Sequence, residues 1–328
     1  MSAEFPVIDL PFIDLEIPAD MAGQRLDAAL ARLLPEHSRT RIKVWIEAGD
    51  VQVAGLKPGC KPSDAVQAGT RVRVRLTMPP RREDVLPESI PVQLVHEDRD
   101  VWVVEKPVGL VVHPGAGNPC HTLQNALLGM DTKLAILPRA GLIHRLDKDT
   151  SGLLMVARTP AAYTSLSRQL LARTVSREYG AVCVGVMTAG GTIDEPIGRH
   201  RSDRLRMTVR QDGKPAITHY RVLERYRGHT YLSVKLDTGR THQIRLHLAH
   251  LHAPLVGDPV YGKRKTQPRG ASDELIVILR AFKRQALHAG ALAFDHPRSG
   301  KRISLTSAVP KDFAHLLSVL RQDRDATR

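Results

Sequence analysis

Cysteine is scarce: Cys60, Cys120 and Cys183 stand far apart in 328 residues, with no CxxC pair and no even-numbered framework. They read as reduced thiols in a cytosolic protein, not as a disulfide scaffold. Long hydrophobic runs are missing too, since the longest strongly apolar stretch covers only residues 152–157. That is far short of a membrane span. Residues 1–20 hold five acids and no Lys or Arg, so a secretory leader with its basic start is not expected. Neither internal repeats nor low-complexity segments occur.

What is abundant is positive charge. The chain carries 48 Lys plus Arg against 34 Asp plus Glu, a net +14, while its 42% hydrophobic content is that of an ordinary globular protein. Residues 1–20 carry −5 and residues 21–78 carry +5, so the whole excess lies in 79–328. A large basic region without a membrane anchor most often faces a polyanion, RNA or DNA first, although a merely soluble basic surface would look the same.

Residues 79–91 contain four prolines and five charges and read as a linker. Before it, Leu26, Leu30, Leu33 and Leu34 recur at helical spacing. Ser38 is placed to cap a second helix with apolar face Ile42, Trp45 and Ile46. Arg39, Arg41 and Lys43 fall mostly off that face, and a strand begins at Val51. In residues 71–76, Val72, Val74 and Leu76 alternate with Arg71, Arg73 and Arg75. This predicts a compact module over 21–78 with a basic outer face, preceded by a mobile acidic tail over 1–20.

The second module, 92–320, mixes strands and helices, with a short tail over 321–328. Strands are expected at 101–105, 153–157, 179–187, about 216–226 and 230–237. Helices are expected around Tyr163, Leu166 and Leu170, from Thr241, and over Phe313 to Leu320.

The segment 141–152 (GLIHRLDKDTSG) sets Asp147 and Asp149 in a polar loop before an apolar strand. His144, Arg145 and Lys148 would supply positive charge that keeps a carboxylate ionised and nucleophilic. A charged turn laced by its own ion pairs would read alike. Two further segments tilt the balance: REY at 177–179 puts Tyr179 at the mouth of a strand, and TGRTHQIRLH at 238–247 puts Arg240 and Arg245 on a turn entering a helix. Arg245 there is within natural reach of a carboxylate or phosphate. The histidines 242, 247, 250 and 252 lack acid or Cys partners at ligand spacing, so no metal site is expected.

HRLDKDTSG (144–152), REY (177–179), TGRTHQIRLH (238–247) and LVGDPVYG (255–262) together resemble the motif series of the RluA-type pseudouridine synthases. RLDAAL (25–30), SRTRIKVWI (38–46) and VQVAG (51–55) resemble an S4 RNA-binding domain, with Ala54 where such domains often carry Asn. HPGAGN (113–118), TAGGTIDEP (188–196), GKPAITHYR (213–221) and FKRQALHA (282–289) are similar to the subgroup acting on large-subunit ribosomal RNA.

The resemblance implies an α+β protein: a mixed, largely antiparallel catalytic sheet plus a small S4-like α/β domain. It implies isomerisation of uridine to pseudouridine in 23S rRNA, in the helix 69 stem-loop. That reaction is redox-neutral, so no cofactor and no metal are expected. Asp147 matches the catalytic carboxylate and Arg145 the arginine that fills the stack left by the flipped uridine. Tyr179 matches the tyrosine packed on the base, and Arg245 the basic partner of the aspartate; Asp149 receives no role. His144, Arg240, Arg39, Arg41, Lys43, Arg201 and Arg204 are expected to contact RNA, as are Lys263, Arg264 and Lys265 after the GDPVYG loop. The expected partner is 23S rRNA or a large-subunit precursor, met by a cytoplasmic monomer with no membrane attachment. The competing classes are a synthase for tRNA or another RNA, a non-catalytic ribosome-associated RNA-binding protein, and a glycosidase using Asp147 and Asp149. The net positive charge and the S4-like module argue against the last of these.

Overall fold

The structure, a computed structural model, describes residues 12–35, 39–55, 59–75, 85–115, 117–200, 202–203, 206–262 and 267–326. The chain divides into two compact units, residues 1–84 and 85–328. The side chains of Thr40 and Arg41, together with Ser38, Arg201, Arg204 and residues 263–266, lie outside what is described.

The first unit is an antiparallel sheet of β1 (Phe12–Glu16), β2 (Val51–Val53) and β3 (Arg71–Arg75), in the order β1-β3-β2, with helices α1 (Leu26–Leu33) and α2 (Arg39–Ala48). Leu26, Leu30, Leu34, Ile42, Trp45 and Ile46 form its core with Val72 and Val74, as their spacing predicts. The acidic segment departs from expectation. Residues 12–16 are not a tail but a strand on β3, with Asp14 opposite Arg73 and Glu16 opposite Arg71. Ile13 and Leu15 pack against the core, while Asp14 grips Arg73 through two hydrogen bonds of 2.7 and 3.0 Å. The cause is charge complementarity: outward acids of one strand meet outward arginines of the next.

The second unit begins at Val85, inside the expected linker. Residues 85–91 are pinned to it, for Asn125 Nδ2 donates to the Leu86 carbonyl and Glu88 N–H donates to the Asn125 carbonyl. In chain order it contains β4 (Gln93–Glu97), β5 (Val101–Lys106), α3 (Leu123–Met130), β6 (Ser151–Ala157), α4 (Pro160–Leu171), β7 (Ser176–Val184), β8 (Gly191–Asp194), β9 (Ile197–Arg199), β10 (Met207–Val209), β11 (Ile217–Arg225), β12 (His229–Leu236), α5 (Gln243–His250), α6 (Asp273–Ala281), β13 (Leu287–Asp295), β14 (Arg302–Thr306) and α7 (Lys311–Asp325). The main sheet runs β4-β5-β6-β13-β7-β12-β11-β8, with β14 also on β13; β9 and β10 form a separate ribbon. Pairing is antiparallel except between β13 and β6. The fold is thus α+β with a mixed, largely antiparallel sheet, and the first unit is consistent with an S4-like domain.

Both faces of the sheet are covered, which explains the nearly unbroken apolar runs of β5 and β6. Trp102, Val104, Leu154 and Val156 face α3 and α5, whereas Val101, Val103, Leu153 and Met155 face α4. Tyr179 belongs to the α3/α5 side. It sits at the fourth position of β7, not at the strand's mouth, because the alternation of buried residues begins earlier, at Arg177. Helix α5 starts two residues later than expected, since His242 adopts a left-handed backbone (φ 57°) and caps it.

Candidate active site

The loop before β6 is the anchor of the site. Lys106, wholly buried, donates its ammonium hydrogens to the carbonyls of Pro107, Leu110 and Lys148 at 2.7, 2.9 and 2.9 Å. Burial pushes its pKa down to about 8. Gln285 Nε2 holds the Thr150 hydroxyl at 2.9 Å, and Thr150 N–H closes a turn onto the Asp147 carbonyl at 3.1 Å. Gly152 ends the motif at φ +117°, where a Cβ would run into the Ala289 carbonyl. Only glycine lets β6 approach β13 there and fix the loop.

From this loop Asp147 meets α5. Arg245 Nη1 donates to Asp147 Oδ2 at 3.1 Å, while its Nε and Nη2 clasp Asp258 at 2.8 and 2.9 Å. Arg245 and Asp258 are buried; the Asp147 side chain keeps 16% exposure. Asp258 also accepts the backbone N–H groups of Val260 and Tyr261. Burial opposes its ionisation, but Arg245 and those N–H groups outweigh burial and hold its pKa below the usual carboxylate value. Arg245 is likewise desolvated, yet its two aspartates raise its pKa above the ordinary arginine value. The result is a fixed cation between two carboxylates. Asp147 Oδ2 is engaged, and Oδ1 accepts no hydrogen bond among the described residues.

The turn carrying Arg245 is held by Gln243. Its amide donates to Ile217 O and Thr218 Oγ1 and accepts from Arg240 N and the Thr238 hydroxyl, all at 2.9–3.0 Å. His247 bonds Thr218 Oγ1 and the Glu195 carbonyl through its two ring nitrogens, a structural use of a histidine.

Two cavities of about 430 and 420 Å³ meet at Asp147 and share Arg145, Leu146, His242 and Arg245 with it. Both fall within the ~300–1,000 Å³ typical of ligand sites. The first is lined by Tyr179, His144 and Arg240 among others; the second reaches His113 and Asn118. Tyr179 is 5% exposed, and burial raises its phenol pKa, so the hydroxyl keeps its proton at neutral pH.

Five of the expected site residues therefore converge with Asp147 around one cavity: His144, Arg145, Tyr179, Arg240 and Arg245. His144 is not the cation its sequence position suggested. Burial, reinforced by the charge of Arg177, pushes its pKa down to about 3, and its Nε2 accepts the Met155 N–H at 3.1 Å. In the first unit, Arg39 and Lys43 are only half free. Together with Arg25 they surround the buried carboxylate of Asp27, at 2.9, 3.6 and 3.1 Å. Burial works against ionisation of Asp27, but Arg39 and Arg25 prevail and lower its pKa.

Asp258, Asp27 and Arg177 are the residues that sequence reasoning missed. Asp258 lay inside the LVGDPVYG motif without a role. The signal was its neighbouring Gly257, at φ +71° against the Arg284 carbonyl, which marks a tight turn presenting the next side chain inward. Among the described residues, two groups could offer three metal ligands, Glu88 with Cys120 and His121, and Asp98 with Asp100 and His296. Neither lines the cavities at Asp147. In the second group, Asp100 is already clasped by Arg298 at 2.6 and 2.8 Å.

A carboxylate held on one oxygen by a buried arginine, beside a buried tyrosine at the junction of two cavities rimmed with arginine, suits an enzyme that acts on one nucleotide of an RNA chain. The chain belongs to the RNA pseudouridylate synthase family, which it matches over residues 100–250. It is 52% identical over 307 residues to the ribosomal large subunit pseudouridine synthase D of Xanthomonas campestris pv. campestris, covering 94% of this chain and 92% of that protein. With the protein of the same description from Pseudomonas aeruginosa the identity is 51% over 311 residues, covering 95% and 96%. Among solved structures, human RNA pseudouridylate synthase domain containing 4 superimposes with a TM-score of 0.54 at 26% identity, covering 70% of this chain and 92% of that one. The chain is thus an isomerase of RNA uridines. The binding-protein and glycosidase readings fall away. No helix among the described residues is long and apolar enough to cross a membrane.

Proposed function

We propose that this protein converts uridines of 23S ribosomal RNA, in the helix 69 stem-loop, to pseudouridine, with Asp147 as the reacting carboxylate. The observation that carries this reading is the Asp147 carboxylate itself, clamped on Oδ2 by Arg245 with Oδ1 unengaged at the meeting of two cavities. The choice of ribosomal RNA is supported by the relatives named for the large ribosomal subunit and by a basic chain of net +14.

The reaction breaks N1–C1′, turns the free base and joins C5 to C1′. The uridine must first leave its stack, which costs a few kcal/mol and least in a loop. Arg145, exposed beside Asp147, fills the vacated stack, and Tyr179 packs on the flipped base. Asp147 then acts at the sugar, either bonding C1′ or withdrawing the 2′ proton. Arg245 cannot give up its proton and serves to hold Asp147 in place. The cavity retains the detached uracil; as C5 closes onto C1′, Asp147 leaves as a carboxylate or returns its proton to C2′, and the C5 proton then leaves to a nearby acceptor. His144 and Arg240 border the base and its backbone. Arg39, Arg41 and Lys43 on α2, with Arg201 and Arg204 in the other unit, take phosphates.

The test is pseudouridine mapping on 23S rRNA that lacks these modifications, after incubation with the protein or its Asp147→Ala variant. New signals in one stem-loop with the intact protein only are expected, and the variant should lose at least about 10³-fold in rate. Signals that survive in the variant remove Asp147 from its role. Binding without any signal moves the substrate to another RNA, tRNA first.

A further inference from the structure

Arg177 stands two residues before Tyr179 on β7, so the two side chains leave the same face of the strand and line the same cavity. Arg177 is only 7% exposed. A guanidinium buried this deeply ordinarily lies against a carboxylate, as Arg245 does with Asp147 and Asp258. Among the described residues Arg177 has no such partner. Its Nε makes no hydrogen bond, and its Nη2 reaches only the Leu236 carbonyl at 3.4 Å. The nearby acids are committed elsewhere: Glu178 accepts from the Ser233 hydroxyl, and Asp237 pairs with His219. Gly239 borders the guanidinium, and a Cβ there would come within 2.8 Å of Nη1. The missing side chain leaves the cation its place in the cavity wall. Of the cavity's other arginines, Arg245 is buried between its two aspartates, whereas Arg139, Arg145, Arg173 and Arg240 are exposed, where a phosphate backbone would pass. Arg177 alone among the cavity's arginines is both deep and without an acid.

The reaction creates one negative charge at this depth. When N1–C1′ breaks, the bonding pair departs with N1, and the free uracil is an anion whose charge is shared with O2 and O4. The electron deficiency at C1′ is met by an Asp147 oxygen, or by the C2′–H pair as the 2′ proton is lost. Attack of C5 on C1′ consumes the charge of the ring and either frees Asp147 as a carboxylate or returns the proton from Asp147 to C2′, and the proton shed from C5 is balanced by one gained at N1. We propose that Arg177 donates to a carbonyl oxygen of the flipped uracil and stabilises the detached base as an anion while it turns from N1 to C5. A fixed cation in a water-poor site is worth most where charge develops during the reaction. The inference rests on the isomerase reading above.

The experiment measures single-turnover conversion and RNA Kd for the intact protein, Arg177→Met and Arg177→Lys. The substrates are 23S rRNA lacking these modifications and the same RNA carrying 5-fluorouridine, read as loss of the parent nucleoside. Arg177→Met should lose roughly 10²- to 10³-fold in rate with Kd nearly unchanged, and Arg177→Lys should fall between. Fluorine at C5 itself stabilises the uracil anion, so the deficit of Arg177→Met should shrink on the fluorinated RNA. That ratio within one variant does not depend on how much of it is folded, so a merely structural role would not move it. An unchanged rate, a loss confined to Kd (a phosphate contact), or an equal deficit on both RNAs overturns the proposal. Failure of the intact protein to convert either RNA strikes the isomerase reading instead.

Discussion

The two units each contain a buried charged hub, built with opposite stoichiometry. In the first, one buried acid, Asp27, gathers three half-exposed bases, Arg25, Arg39 and Lys43. In the second, one buried base, Arg245, lies between two acids, and one of them, Asp147, keeps access to a cavity. Net charge follows the same division: residues 1–84 sum to zero, so the +14 resides in 85–328. A buried charge costs energy unless paired, so in both hubs the buried partner exists to place the more exposed ones. In the first hub the placed groups are long cations suited to phosphates. In the second, the placed group is a carboxylate suited to chemistry.

The comparison is broken most severely at Asp258. Asp258→Ala leaves Arg245 buried with only the partly exposed Asp147, and the loss of a buried partner typically costs about 3–5 kcal/mol. Denaturant melts should show the second unit destabilised on that scale while the first keeps its midpoint. Isomerisation should fall as well, since Asp147 loses its fixed counter-ion. Equal stability of variant and parent would mean that Arg245 is not held through Asp258.

Acid should reveal the same dependence more gradually. The folded pKa of Asp258 is lowered, so its contribution is complete above the unfolded carboxylate value near ~3.9 and is lost as pH falls below it. The stability gap between the parent protein and Asp258→Asn should therefore be full at pH 6 and narrow as pH drops below about 4. A gap that stays constant down to acid pH would contradict the pairing.

Asp27→Asn should have the smallest effect on the chemistry: it forgoes the stability that the lowered Asp27 pKa represents in the first unit, and otherwise acts on binding. Without its carboxylate the three cations must be ordered by the RNA itself, at about 0.5–1.5 kcal/mol per long side chain. RNA affinity should weaken up to about tenfold for each side chain released. The single-turnover rate at saturating protein should not change. A loss of rate at saturation would show that the first unit shapes the chemistry and not only the encounter.

Much of this was readable in the chain. The leucine spacing of α1, the apolar face of α2 and the alternation of RVRVR give the core of the first unit directly, because side-chain periodicity is a local property. Asp147, Tyr179 and Arg245 were legible as members of long motifs, and the fold brings them around one cavity although they stand up to 98 residues apart. β1 was hidden, since its Ile13 and Leu15 alternate with Asp14 and Glu16 inside a segment whose acidity masked the pattern. His144 looked cationic because sequence shows the residue and not its burial.

Composition and short-range spacing set the charge surplus, the residue types available for chemistry and the elements of clear periodicity, such as α1, α2 and β3. Only tertiary structure decided which charges are buried and with whom. Arg245 finds Asp258 13 residues along the chain and Asp147 98 residues away, Asp27 binds two bases of α2 and the arginine that precedes α1, and Arg177 is left without an acid among the described residues. Desolvation and pairing arise from the packing of distant segments, and they turn ordinary charged residues into a reacting carboxylate, an immovable cation and a neutral histidine.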